Sequence, residues 1–145
     1  MTNLDSNFPI IIEQPLSWGD MDAFQHINNI VYFRYFENVR MEYFSEANLD
    51  THMESTQNGP ILASTQCDFR APLTYPDTIR IGATIDSVDA RRFTMRYQVE
   101  SESLGRIAAE GTGLIVWYDY QKGVSCEIPE NIRQAIHKIQ SRVSR

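Results

Sequence analysis

The chain has 145 residues, enough for one domain with a real core and too few for two, so a single functional site is expected. Hydrophobic residues make up 42% and charged residues 22%, the balance of a folded globular protein and not of a disordered or fibrous chain. The net charge of -6 argues against a nucleic-acid partner, because phosphate backbones draw affinity from clustered Lys and Arg.

Taken in order, "FPIIIEQPLSW" from Phe8 is a β-rich apolar run bracketed by prolines, and predicts a strand. From Ile30 to Asn48 the periodicity becomes helical. Val31, Tyr35 and Val39 share a side with Tyr32, Phe36 and Tyr43, while Arg34, Asn38, Glu42 and Ser45 face away. Phe33, Phe44 and Ala47 widen the apolar arc beyond that of a surface helix, so something large should enclose it. Four segments of alternating or apolar β character follow: "PILASTQCDFRAPL", "DTIRIGATIDSV", "RRFTMRYQVES" and "RIAAEGTGLIVWYDY". The joints "TYPD", "DARR", "SLGR" and "YQKG" suit short antiparallel connections. After Pro129, Ile132, Ala135, Ile136 and Ile139 predict a short closing helix. The order implies an α+β fold: one domain over residues 1–145 in which a curved antiparallel sheet wraps one long helix.

No apolar run approaches a membrane span, and the N-terminus lacks the basic and apolar regions of a secretory signal. Cys67 and Cys126 form neither a disulfide framework nor a zinc pattern, and Cys67 reads as a small core residue. The expected location is the cytoplasm.

The polar cluster lies just before the central helix, in "WGDMDAFQHINNIVYF". A helix start exposes unpaired N–H groups and the positive end of the macrodipole. Either Asn28 or Asn29 suits the cap, which leaves amides near Asn29, Ile30 and Val31 at that end. With Asp22 just upstream, the segment holds the minimum equipment for acyl transfer: a carboxylate to attack or to activate water, and donors for the charge developing on a carbonyl oxygen. Simpler roles compete. Asp20 and Asp22 also suit turns, His26 suits a backbone hydrogen bond, and the three together would supply too few ligands for a convincing metal site. Glu37 and Glu42 read as solvated helix charges. Ser17, Ser64 and Thr65 lack a nucleophile-elbow context, and Gly111 to Gly113 reads as a bend or a close backbone approach. Arg91 and Arg92, at a hairpin turn, are either solvated or a clamp for a phosphorylated ligand tail.

"WGDMDAFQHINNIVYFRYFENVR" resembles the entry segment of hotdog-fold acyl-CoA thioesterases of the 4-hydroxybenzoyl-CoA thioesterase type, with Asp-x-Asp, His, paired Asn and Tyr-x-x-Tyr; "FRAPLTYPDTIRI" is similar to their strand, proline turn and following strand. The resemblance implies the hotdog fold and hydrolysis of acyl-CoA to free acid and coenzyme A, the coenzyme being part of the substrate and no further cofactor being needed. It further implies a homodimer or homotetramer with sites between subunits. Asp22 then matches the catalytic nucleophile or base, Asp20 a less critical acid, and the amides around Asn29, from Asn28 to Ile30, the donors to the thioester carbonyl. His26 would order the loop, Tyr32 would border the acyl pocket, and Arg91 and Arg92 would meet the nucleotide phosphates. Many relatives have glycine before the histidine; Gln25 stands there instead, with a narrower backbone range. Hydrolysis of acyl groups from acyl carrier protein, and acyl binding without chemistry, are the alternative functions.

Overall fold

The computed structural model describes residues 3–143. A short helix, α1 (Asn3–Asn7), precedes strand β1 (Ile10–Pro15) and a single 3-10 turn over Trp18–Asp20. Helix α2 (Asn29–Glu46) and helix α3 (Leu49–Thr56) follow, then β2 (Asn58–Phe69), β3 (Thr78–Val88), β4 (Arg92–Ser101), β5 (Arg106–Asp119), the two-residue β6 (Val124–Ser125) and helix α4 (Glu130–Gln140). The strands form one antiparallel sheet in the order β1-β3-β4-β5-β2, with β6 paired to β5.

The alternation seen in the sequence turns Ile79, Ile81, Ala83 and Ile85 of β3 inward with Phe93, Met95, Tyr97 and Val99 of β4 and Ile115 and Trp117 of β5. Against this surface α2 buries Tyr32, Tyr35, Phe36, Val39 and Tyr43, while α4 adds Ile132, Ile136 and Ile139 at one end of the core. Burying apolar surface on this scale is the main favourable term in folding. Two contacts fix the depth of α2. The Phe36 ring stacks on Tyr97 at 4.8 Å, and a Cβ at Gly111 would collide with that ring and lie 2.7 Å from the Gln66 carbonyl oxygen. The Gly111 position is thus a close backbone approach, one of the two readings its sequence context allowed.

Three features depart from the sequence reading. Helix α1 was not expected; its Leu4, with Phe8 beyond it, packs where Gly82 lacks a side chain. Helix α3 was not expected either; it begins after Asn48 in the left-handed region (φ 59°) and buries Leu49 and His52. Strand β2 alternates in sequence, yet residues 61–66 are all exposed because β2 is the last strand of the sheet and pairs only with β5.

Candidate active site

Between the 3-10 turn and α2 the chain folds on itself in a small hairpin. Met21 and Ile27 form an antiparallel bridge, the Asp22 N–H donates to the His26 carbonyl at 2.8 Å, and the Gln25 N–H donates to the Asp22 carbonyl at 3.0 Å. Asp22 also closes the turn with its side chain, its Oδ1 accepting the Phe24 N–H at 2.9 Å. Aspartate favours this first turn position because its short side chain reaches the backbone two residues on. The turn needs a left-handed residue before the histidine, and Gln25 takes that conformation at φ 65°. The departure from glycine therefore preserves the backbone path at the expense of some strain.

The hairpin is anchored on both sides. The Ile27 N–H donates to the Leu73 carbonyl at 2.8 Å, and the Asn28 N–H donates to the Asp20 carbonyl at 3.0 Å. Asn28 is the N-cap of α2: its backbone is extended and its Oδ1 accepts the Ile30 N–H at 3.1 Å. The next residue, Asn29, opens the helix, and its N–H has no partner among the described residues.

Asp22, His26, Asn29 and Tyr32 line one cavity of about 390 Å³. Its remaining walls come from Phe24 and Ile27 of the hairpin and from Phe69, Arg70, Ala71 and Pro72 at the end of β2. One oxygen of Asp22 serves the turn, and the other has no partner among the described residues, so the turn role leaves one oxygen available. The His26 ring is exposed and makes no hydrogen bond among the described residues. Tyr32 is buried edge-on against Phe69 at 5.0 Å. Burial pushes its hydroxyl up to about 12, a backbone hydrogen bond at Leu73 pulling the other way and Cys67 adding to the rise. It is a neutral phenol at the cavity wall at physiological pH. Cys67, half-buried behind it, is raised by burial, and further by Asp68, to about 11, which makes it an unreactive thiol.

Asp20, Asn28 and Ile30 lie elsewhere, around a neighbouring cavity of about 270 Å³ that also touches Arg34. The two acids of Asp-x-Asp therefore serve different cavities. Arg91 and Arg92 are farther still. Arg92 leads directly to Phe93, which packs on Phe44 in the last turns of α2, and at ~1.5 Å per residue Phe44 lies about 22 Å along the helix from Asn29. Both arginines are exposed, and Arg91 holds the Ser125 hydroxyl at 3.2 Å. One chain alone does not bring them to Asp22. Among the cavity residues that sequence reading did not single out are Arg70 to Pro72. Their signal was the segment after β2 that resembled the family, in which the Arg70 and Ala71 N–H groups both reach the Ala108 carbonyl.

No helix among the described residues is long and apolar enough to cross a membrane. Residues 16–136 match the model of the thioesterase-like superfamily. The chain is 26% identical over 127 residues to the uncharacterized protein YsmA of Bacillus subtilis, covering 81% of this chain and 85% of that one. Among solved structures it is similar to a Thermus thermophilus thioesterase complexed with coenzyme A and zinc: 26% identity, TM-score 0.81, 94% of this chain and 98% of that one. The PA2801 protein of Pseudomonas aeruginosa is similar at 25% identity and TM-score 0.78, covering 89% of this chain and 98% of that one. With the sheet curled around α2, the hairpin ahead of it and a family match spanning both, the chain belongs to the thioesterase-like superfamily of hotdog proteins.

Proposed function

We propose that the protein hydrolyses acyl-CoA thioesters at the cavity lined by Asp22 and Asn29. One observation carries this reading: a carboxylate oxygen and a helix-start N–H, each without a partner among the described residues, border the same space. A thioester carbonyl placed there receives the Asn29 N–H and the positive end of the α2 dipole, which favour the negative charge that builds on its oxygen. The free oxygen of Asp22 either removes a proton from water as that water adds to the carbonyl carbon, or adds to the carbon itself. In both routes the carbon–sulfur bond breaks and the departing thiolate takes a proton; after direct attack a water then opens the acyl–Asp22 anhydride, which releases the acid and restores the carboxylate. His26 and Tyr32 border the acyl group, and the coenzyme A carried by the Thermus thermophilus relative supports this choice of leaving group.

The working unit is two copies. β2 forms one open edge of the sheet, and Ile61 and Leu62 near its start are each 40% exposed, apolar surface on a strand whose outer side has no partner among the described residues and that a second chain would cover. A second copy also offers a way for Arg91 and Arg92 to reach the phosphates of a substrate bound at Asp22, which they do not reach within one chain. The test is thiol release from short, medium, long and aromatic acyl-CoAs, with matched acyl carrier protein thioesters alongside. Release from at least one acyl-CoA, at a rate above that from its carrier-protein counterpart, is expected. Tight acyl-CoA binding with no release across the panel would instead establish a binding protein.

A further inference from the structure

Tyr35 presents a problem that the proposed chemistry does not solve. The residue is 2% exposed, and its hydroxyl is buried with no hydrogen-bond partner among the described residues. A buried hydroxyl left unpaired is destabilising, and such groups in folded proteins call for an explanation. Side chains on a helix lean toward its N-terminus, so Tyr35 reaches back over the turn that carries Tyr32, against whose ring it packs edge-on at 5.8 Å. That direction leads over Val31, one turn earlier, which lines the same cavity as Asp20. The Asp20 carboxylate is half-buried and likewise has no hydrogen bond among the described residues. Burial pushes the Tyr35 hydroxyl up, and the next cause is the nearby charge of Asp20.

The backbone of Asp20 holds the end of the proposed machinery. Its carbonyl accepts the Asn28 N–H, Asn28 caps α2, and the following residue, Asn29, lines the Asp22 cavity. We propose that Tyr35 is a positioning residue: its hydroxyl donates to the Asp20 carboxylate through one bridging water, and this strut from α2 keeps Asn28 and Asn29 in place at the thioester. The inference rests on the hydrolase reading for its kinetic consequence but not for its structural one. It gives Asp20 a task distinct from that of Asp22, consistent with their facing different cavities.

The experiment compares Tyr35→Phe, Asp20→Ala, Asp20→Asn and the Tyr35→Phe/Asp20→Ala pair. Turnover is expected to fall about tenfold in Tyr35→Phe and in Asp20→Ala with KM little changed, the size of effect that a small misplacement of a reacting group produces. The pair should be no worse than the poorer single variant, and Asp20→Asn, which keeps an acceptor, should recover most of the loss. Native-state hydrogen exchange supplies a readout that needs no turnover. In Tyr35→Phe the Asn28 amide should exchange about tenfold faster while the Ile27 amide, held by Leu73, keeps its rate and the thermal midpoint does not fall. Unchanged Asn28 exchange, losses that add in the pair, or a general loss of protection with a lowered midpoint would each overturn the proposal. If the wild-type protein releases thiol from no thioester, the hydrolase reading fails by itself, and the exchange measurement alone decides the strut.

Discussion

Asp22 and Asn29 stand on opposite sides of the His26 turn and line one cavity; one carboxylate oxygen of the first and the backbone N–H of the second have no partner among the described residues. Asp22→Asn keeps the shape and the oxygen that accepts the Phe24 N–H, but loses the charge. Turnover should fall by roughly 10²–10⁴-fold, the usual contribution of a positioned acid or base, with the thermal midpoint unchanged. A steady-state thiol-release assay beside thermal unfolding checks both; near-normal turnover refutes the assignment of Asp22. A single turnover in ¹⁸O-labelled water tests for direct attack. Label in the Asp22 side chain establishes it, with the mixed anhydride opened at its aspartyl carbon; label confined to the released acid is given both by an activated water and by an anhydride opened at its acyl carbon, and trapping the anhydride with hydroxylamine tells these two apart.

Gln25 adopts a left-handed backbone that glycine enters freely. Gln25→Gly relieves about 1–2 kcal/mol of strain and adds about 0.5–1 kcal/mol of unfolded-state entropy, so a net gain in stability of about 0–1.5 kcal/mol is expected. Urea denaturation measures it. A marked loss of stability would mean that the Gln25 side chain makes a contribution beyond its backbone.

Gly111→Ala should be destabilising by about 1–3 kcal/mol, the range for overfilling a packed core. The new methyl would meet the Phe36 ring, which Tyr97 backs at 4.8 Å, so α2 would have to move. Because α2 also carries Asn29, turnover should fall with stability; a shifted denaturation midpoint with normal turnover would show that the displacement is absorbed locally.

Asp77 joins the turn before β3 to the β4–β5 hairpin. Partial burial acts to raise its carboxyl, but the Ser101 hydroxyl, the Ser103 N–H and the Thr78 N–H all donate to it and hold it below the usual carboxylate range. With the folded value depressed, the unfolded chain takes up the proton first. The stabilisation is therefore complete above the unfolded carboxyl value near ~3.9 and is lost as pH falls through the lower folded value. Asp77→Ala should remove it at neutral pH, and the gap between variant and wild type in urea denaturation should narrow in strong acid. A gap independent of pH would assign the effect to packing.

Much of the fold was legible because its signals are periodic. The greasy arc of Val31 to Tyr43 implied an enclosing partner, and the sheet supplies it; the family expected from the Asp-x-Asp segment is the family found. What sequence could not reveal depended on distant chain. Helix α3 follows a left-handed Asn48 that no local pattern announced, and α1 exists because Gly82, far along the chain, leaves room for Leu4. Arg40 lies in the helical run, yet the structure buries it with a guanidinium N–H 3.0 Å from the Tyr97 hydroxyl. At the candidate site the residue types were readable, but the division of Asp20 and Asp22 between two cavities was not. That division follows from the local bridge of Met21 with Ile27 together with the anchoring of Ile27 on the distant Leu73 carbonyl.

The place of β2 has a consequence for biogenesis. This strand emerges well before β5, its only neighbour in the sheet, with Asn58 opposite Asp119 and Phe69 opposite Ala109. The cavity wall from Phe69 to Pro72 hangs from that late partner, so a nascent chain can carry Asp22, the hairpin and α2 and still have no enclosed place for a substrate. Such long-range closure slows folding and leaves an unpaired strand waiting during synthesis. The cavity is thus completed in the final third of translation, and a product interrupted before β5 holds the Asp22 hairpin and α2 without the wall that faces them.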